Sequence, residues 1–319
     1  MRILPTLCSV LGLAAIATSQ NLRKGLVRAD AVIVARQVGK KAHSDQISLH
    51  RLQVIQNVRG APEAKSVTVI DWPKLSLHQR PMPRQSRLYC LQDASVVATR
   101  MGLPANAGPY FKMVGWTGSN PLISKDLEKD PVMRFARVLA DSEKGTSPNV
   151  TASTLARMAI NSAPAVRTEI ARFLAERSDL RGKLSSVHWT QLIARATGEM
   201  EDIEYKIALA ELCAAQRLEG FLEALAVSLG PVEDVRFARC VGRIGKALHG
   251  EDATTKLVDR LKYAGQAQDR KMLLLAIGAT NTKSALDALL RMDSKDAAVN
   301  AALNEHHSPR AKAAVTRRK

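Results

Sequence analysis

The chain has 319 residues, 46% of them hydrophobic, and 47 Lys and Arg stand against 30 Asp and Glu for a net charge of +17. That apolar content supports about two packed domains of roughly 100–200 residues each and excludes a wholly disordered chain. The basic surplus favours anionic polymers or membrane surfaces as partners, or serves only to keep the surface solvated.

Residues 1–19 read as a Sec signal peptide. Arg2 precedes an apolar run from Ile3 to Ala17, interrupted by Pro5, Thr6, Ser9 and Gly12, and the small residues Ala17, Thr18 and Ser19 mark the expected cleavage. The run falls short of the roughly twenty residues that span a bilayer, and Cys8 lacks the small preceding residue of a lipidation site. The expectation is a secreted or periplasmic protein with no integral span after cleavage; an uncleaved anchor is the alternative. Cys90, Cys213 and Cys240 are odd in number and widely spaced, which excludes a disulfide-built module. Asn149-Val150-Thr151 is a glycosylation triplet that matters only in a eukaryotic secretory pathway.

From about residue 29 to 123 the pattern is strand-like. Ala31-Val32-Ile33-Val34-Ala35 suits a strand buried on both faces, and the alternation from Ile47 to Ile55 suits one with a wet face. A turn at Arg59-Gly60-Ala61-Pro62 leads to strands Ser66 to Ile70, Arg87 to Leu91 and Tyr110 to Trp116. Five short strands predict a small barrel or sandwich.

These segments, with "ISLHRLQVIQNVRGAPEAKSVTVI" and "PYFKMVGWTGSNPLI" foremost, resemble the OB-like, netrin-module-like β-barrel of bacterial secreted proteins. The resemblance covers residues 21–140 and implies an all-β OB-like barrel. Relatives that inhibit metalloproteases chelate zinc with a cysteine at the mature N-terminus, and none stands near Gln20, so that activity is not implied.

Pro131 opens an expected helix that closes the β domain, and the polar residues 141–149 are read as a linker. Beyond it helical periods take over. Glu201-Asp202-Ile203-Glu204-Tyr205 recurs as Glu233-Asp234-Val235-Arg236-Phe237, and Ile244-Gly245 as Ile277-Gly278, with acidic pairs placed to cap helices. Second helices are expected at Phe221 to Leu225, Leu257 to Leu261 and Ala285 to Leu290. Residues 150–316 resemble HEAT or armadillo repeats, most clearly at Met272 to Ala279, which implies an α-solenoid with a binding or spacing surface. Residues 309–319 form a basic tail expected to fray, with Arg310, Lys312, Arg317, Arg318 and Lys319 as candidate contacts for an anionic polymer.

No metalloprotease helix, nucleophile elbow, Walker loop or dinucleotide fingerprint is present. Gly242-Arg243-Ile244-Gly245-Lys246 has the wrong spacing for a phosphate loop and reads as small residues easing helix packing. His306 and His307 stand side by side in an end expected to be polar and mobile, a poor metal clamp. His50 and His78 are placed near the wet edge of the β domain. Cys213 and Cys240 are expected to be separate buried thiols. Trp72, Pro73, Tyr110, Phe111 and Trp116, flanked by Arg80, Arg84 and Arg87, could stack bases on a barrel face, but core packing is the favoured reading. The expectation is therefore a non-enzymatic exported protein, without cofactor or metal, that binds another macromolecule, in the first place a protein, through a helical repeat surface. The alternatives are an electrostatic binder of envelope glycan, lipid headgroup or nucleic acid, and a hydrolase whose residues assemble from distant positions.

Overall fold

A computed structural model of the chain describes residues 22–61, 63–72, 85–114, 121–199 and 201–318. The signal-peptide reading, Pro62, Pro73, His78, Arg80, Arg84, Trp116 and Lys319 lie outside the described residues. The chain forms two compact units, Met1–Ile170 and Ala171–Lys319.

In the first unit, helix α1 (residues 22–28) precedes strands β1 (Ala31–Ser44), β2 (Ile47–Arg59), β3 (Ser66–Asp71) and β4 (Arg87–Asp93). Helix α2 (Ser95–Arg100) and a 3-10 turn (Ala105–Ala107) follow, before β5 (Tyr110–Met113). The strands close a barrel in the order β1-β2-β3-β5-β4, with β3 and β5 parallel and the other pairs antiparallel. Residues 31–35 are buried on both faces, as their unbroken apolar run predicts. Ala31, Ile33 and Ala35 point into the barrel with Leu52, Val67, Val69, Tyr89, Leu91 and Phe111. Burial of these side chains stabilises the barrel by about 1.5–3 kcal/mol for each large apolar residue. A second cluster, Ile70, Ala94, Ala98, Leu103 and Tyr110, brings together β3, β5 and the segment that holds α2.

The β2 end is locked by two residues. Gly60 adopts φ +67°, and a β-carbon there would stand 1.9 Å from the Asp30 carbonyl oxygen, so only glycine fits. Arg59 donates through Nη2 to the carbonyls of Leu26 and Ala29, at 2.5 and 2.7 Å, and through Nη1 to Glu143.

Helix α3 (Pro131–Glu143) starts where Pro131 predicts, and Asp130 Oδ1 accepts from the amides of Val132 and Met133 at 2.9 and 3.1 Å. It packs on α4 (Pro148–Asn161). The polar stretch 141–149 is thus the end of α3, a turn through Gly145 and the start of α4. The first unit runs beyond the expected linker to Ile170, because the apolar side of α4 packs against α3. Helix α5 (Pro164–Glu176) crosses the division.

The second unit contains α6 (Ser178–Arg181), α7 (Ser186–Thr197), α8 (Ile203–Ala215), α9 (Phe221–Val227), α10 (Leu229–Val232), α11 (Val235–His249) and α12 (Asp252–Leu261). It continues through α13 (Ala267–Thr280), α14 (Lys283–Leu290), α15 (Ala297–Glu305) and α16 (Pro309–Arg318). The recurring acidic pairs cap helices as expected. Asp202 accepts from the amides of Glu204 and Tyr205, and Asp234 from that of Arg236. Helix α11 packs between α8 and α13, and α13 between α11 and α15, while α12 meets α9 and α14. Close approach of the first set depends on missing side chains. A β-carbon on Gly242 would stand 2.3 Å from the Ala276 carbonyl oxygen, and one on Gly278 would stand 2.1 Å from that of Ala302. The small residues of the Gly242 to Lys246 segment therefore serve helix packing.

Candidate functional site: a basic groove on the barrel

The groove begins with strand register. Gly39 faces Arg51 across β1 and β2, Lys41 faces Leu49, and Arg51 faces Thr68 across β2 and β3. Side chains alternate between faces along a strand, so Arg51, Leu49 and Thr68 share the outer face of the barrel. Gly39 leaves space in that surface; a β-carbon there would make ordinary contact with Arg51 Cβ at 3.7 Å.

The 3-10 turn walls the groove. Thr68 donates through its hydroxyl to the Ala107 carbonyl at 2.8 Å and through its amide to that of Pro109 at 3.0 Å. Gly108 takes φ +95°, the left-handed backbone that lets the chain leave the turn. The resulting pocket holds about 430 Å³. Lys40, Lys41, Arg51 and Asn106 supply its polar lining together with Ser66 and Thr68, and no carboxylate lines it among the described residues. Nε and Nη2 of Arg51 each lie 3.3 Å from Ser66 Oγ, which orients the guanidinium without neutralising it. Lys41 and Arg51 share the outer face and Lys40, paired with His50, lies at the groove's edge; the cationic lining attracts anionic groups at a range set by the ionic strength.

Charge is divided unevenly along the chain. The first 170 residues hold 23 Lys and Arg against 11 Asp and Glu, whereas residues 171–319 hold 24 against 19. The surplus thus belongs chiefly to the barrel unit and not to the C-terminal tail.

That tail is ordered. Residues 309–318 form α16, with Pro309 at its start, Ser308 Oγ accepting from the Ala311 amide at 3.1 Å, and Ala311 and Val315 buried. The expected frayed end is replaced by a helix because an apolar period runs through its basic residues. Arg310 pairs with Asp287 at 3.2 Å, Lys312 and Arg317 are exposed, and Arg318 ends the helix. Four of the five candidate residues, Arg310, Lys312, Arg317 and Arg318, are therefore spread over a docked helix, and Lys319 lies outside the described residues.

Compared with family models, curated proteins and solved structures, the chain matches none.

The remaining candidates divide clearly. Tyr110 and Phe111 are buried in the two barrel clusters, and Trp72 packs half-buried against one of them, so these rings form no open stacking face. His50 is 2% exposed, against its expected place at the wet edge, and its Nε2 lies 3.4 Å from Asp71 Oδ2. Its position on β2 opposite Val69 directs it inward. His306 is also buried and its Nε2 lies 2.9 Å from the Thr282 carbonyl oxygen, so it holds the end of α15 and is not part of a mobile terminus. Cys90, Cys213 and Cys240 are buried thiols outside any disulfide, and burial pushes the pKa of each up to about 12. No group of three or more His, Cys, Asp or Glu is arranged to hold a metal among the described residues. No helix among them is long and apolar enough to cross a membrane.

Sequence reasoning missed the groove. Lys40 and Lys41 follow a glycine inside a strand, which is a weak signal, and Arg51 and Asn106 join them only through register and the turn.

Proposed function

We propose that this chain is a non-enzymatic exported protein that binds an anionic polymer on its barrel, with acidic envelope glycan the first candidate for an exported protein. The observation that carries the reading is the groove whose charged lining is wholly cationic: Lys40, Lys41 and Arg51. The barrel is read as OB-like, supported by the strand order β1-β2-β3-β5-β4 with β3 parallel to β5. In folds of that kind the face around the second and third strands takes oligonucleotides and oligosaccharides, and the groove lies on this face.

The helical unit is read as a HEAT-like solenoid that spaces the barrel or docks a protein partner. Successive packing of α8, α11, α13 and α15, with α9, α12 and α14 as a second set, supports this reading. It is the second reading for the binding surface as well.

Affinity for heparin, measured across a salt series on the full chain, tests the first reading. Each neutralised charge contributes about 0.7–0.9 to the slope of log affinity against log salt on nucleic-acid polymers, and a similar dependence is expected here. Replacing Lys40, Lys41 and Arg51 by glutamine should flatten the slope, and deleting residues 309–319 should alter it less. Absence of binding at low salt, or an unchanged slope in the triple variant, would overturn the proposal. A protein captured equally at low and high salt would favour the helical surface.

A further inference from the structure

We infer that the cleft between α3 and α4, independent of the barrel groove, is a binding site for a small organic phosphate monoester. The cleft holds about 450 Å³, within the range of small-molecule pockets and well above the size of a bare inorganic ion. Arg134 of α3 and Arg157 of α4 line it with Lys129, Thr154, Asn161 and Ser162. Pro131, Met158 and Ala163 supply an apolar portion for an organic substituent.

Both arginines are exposed to solvent, Arg134 on the first turns of α3 and Arg157 on α4. Arg134 is the fourth residue of α3, at the end where a helix dipole disfavours a cation. Arg157 lies in the last turns of α4, where the dipole favours a cation, so helix electrostatics accounts for one arginine and not the other. The acids around the cleft are already engaged. Asp126 pairs with Lys129 at 3.2 Å, Glu128 with Arg137 at 2.6 Å, and Asp130 caps α3 and accepts from the Ser124 amide. The Arg134 and Arg157 guanidiniums meet no carboxylate among the described residues, and no carboxylate lines the cleft.

An anion in the cleft would pair with the guanidiniums that line it. Two guanidinium forks, the Thr154 and Ser162 hydroxyls and the Asn161 amide offer more donors than a carboxylate can accept, and suit the three oxygens of a phosphoryl group.

Thermal unfolding of the full chain with phenyl phosphate, inorganic phosphate and benzoate, at fixed ionic strength, tests the assignment. Phenyl phosphate should raise Tm saturably and bind more tightly than either control. Arg134→Gln and Arg157→Gln should each weaken it by at least about tenfold, the loss of one charge-assisted contact. Lys41→Gln, in the barrel groove, should leave it unchanged, so failure here is distinguishable from failure of the barrel reading. Without ligand, Arg134→Gln should leave Tm equal or higher. A lower Tm would make Arg134 a support of the fold and remove the argument. No saturable shift, equal affinity for either control, or undiminished binding by both arginine variants would overturn the proposal.

Discussion

The Ala276 carbonyl oxygen lies 2.3 Å from where a β-carbon on Gly242 would stand, with the Ala279 side chain 2.8 Å from the same point. Helices α11 and α13 therefore meet backbone to backbone at Gly242, where there is no room for even a methyl group. Gly242→Ala gains about 1 kcal/mol of helix propensity but forces α11 and α13 apart, and overpacking costs about 1–3 kcal/mol. Gly242→Val should be worse, because it adds branched bulk at the same contact. Urea unfolding should show a lower midpoint for both variants. Gly245→Ala meets only the Leu222 methyls and Ala253 at 3.3 Å and should cost less.

Gly60→Ala should destabilise the barrel by about 1–3 kcal/mol, since it combines a positive φ with a contact on the Asp30 backbone. Thermal unfolding of the variant should show a drop in Tm, and an unchanged Tm would mean that this corner relaxes freely.

Lys206 is fully buried in α8, where its Nζ donates to the Gly198 carbonyl at 2.7 Å and lies 4.8 Å from the centre of the Phe237 ring. Burial pushes its pKa from 10.5 down to about 8, against the opposing pull of Glu199 and Glu201. Between about pH 8 and 10.5 the unfolded chain binds more protons at this site than the folded one, so this group's contribution to stability rises with pH across that window. Below pH 8 its burial cost is present in full. Lys206→Met should lack this pH-dependent gain, and chemical denaturation at pH 7 and pH 10 should show the difference between wild type and variant shifting in favour of wild type.

Cys90, Cys213 and Cys240, held at about 12 by burial, should not react with a thiol reagent at pH 8 while the protein is folded. They should react together once denaturant unfolds the chain. Labelling counted by mass reads this directly, with Cys8 scored separately.

Deleting residues 309–319 should reduce stability more than polymer binding, because Ala311 and Val315 are buried and Arg310 pairs with Asp287. A Tm unaffected by the deletion would mean that α16 adds nothing to the unit on which it packs.

Local chemistry determined much of this protein before any contact between distant residues was known. The run from Ala31 to Ala35 required a strand covered on both sides, Pro131 a helix start, and Asp202 and Asp234 helix caps, because each depends on neighbours a few residues away. The two-unit content, strands and then helices, was legible for the same reason. Only the tertiary structure decided where the first unit ends, since that depends on α4 packing against α3. It also turned His50 and His306 inward, because burial follows from register and from the elements that cover a site. The groove and the cleft belong to the tertiary structure as well. Arg51 and Lys41 come to line one groove through a bulged strand pairing, and Arg134 and Arg157 one cleft through a helical hairpin, so no spacing within either segment announces them.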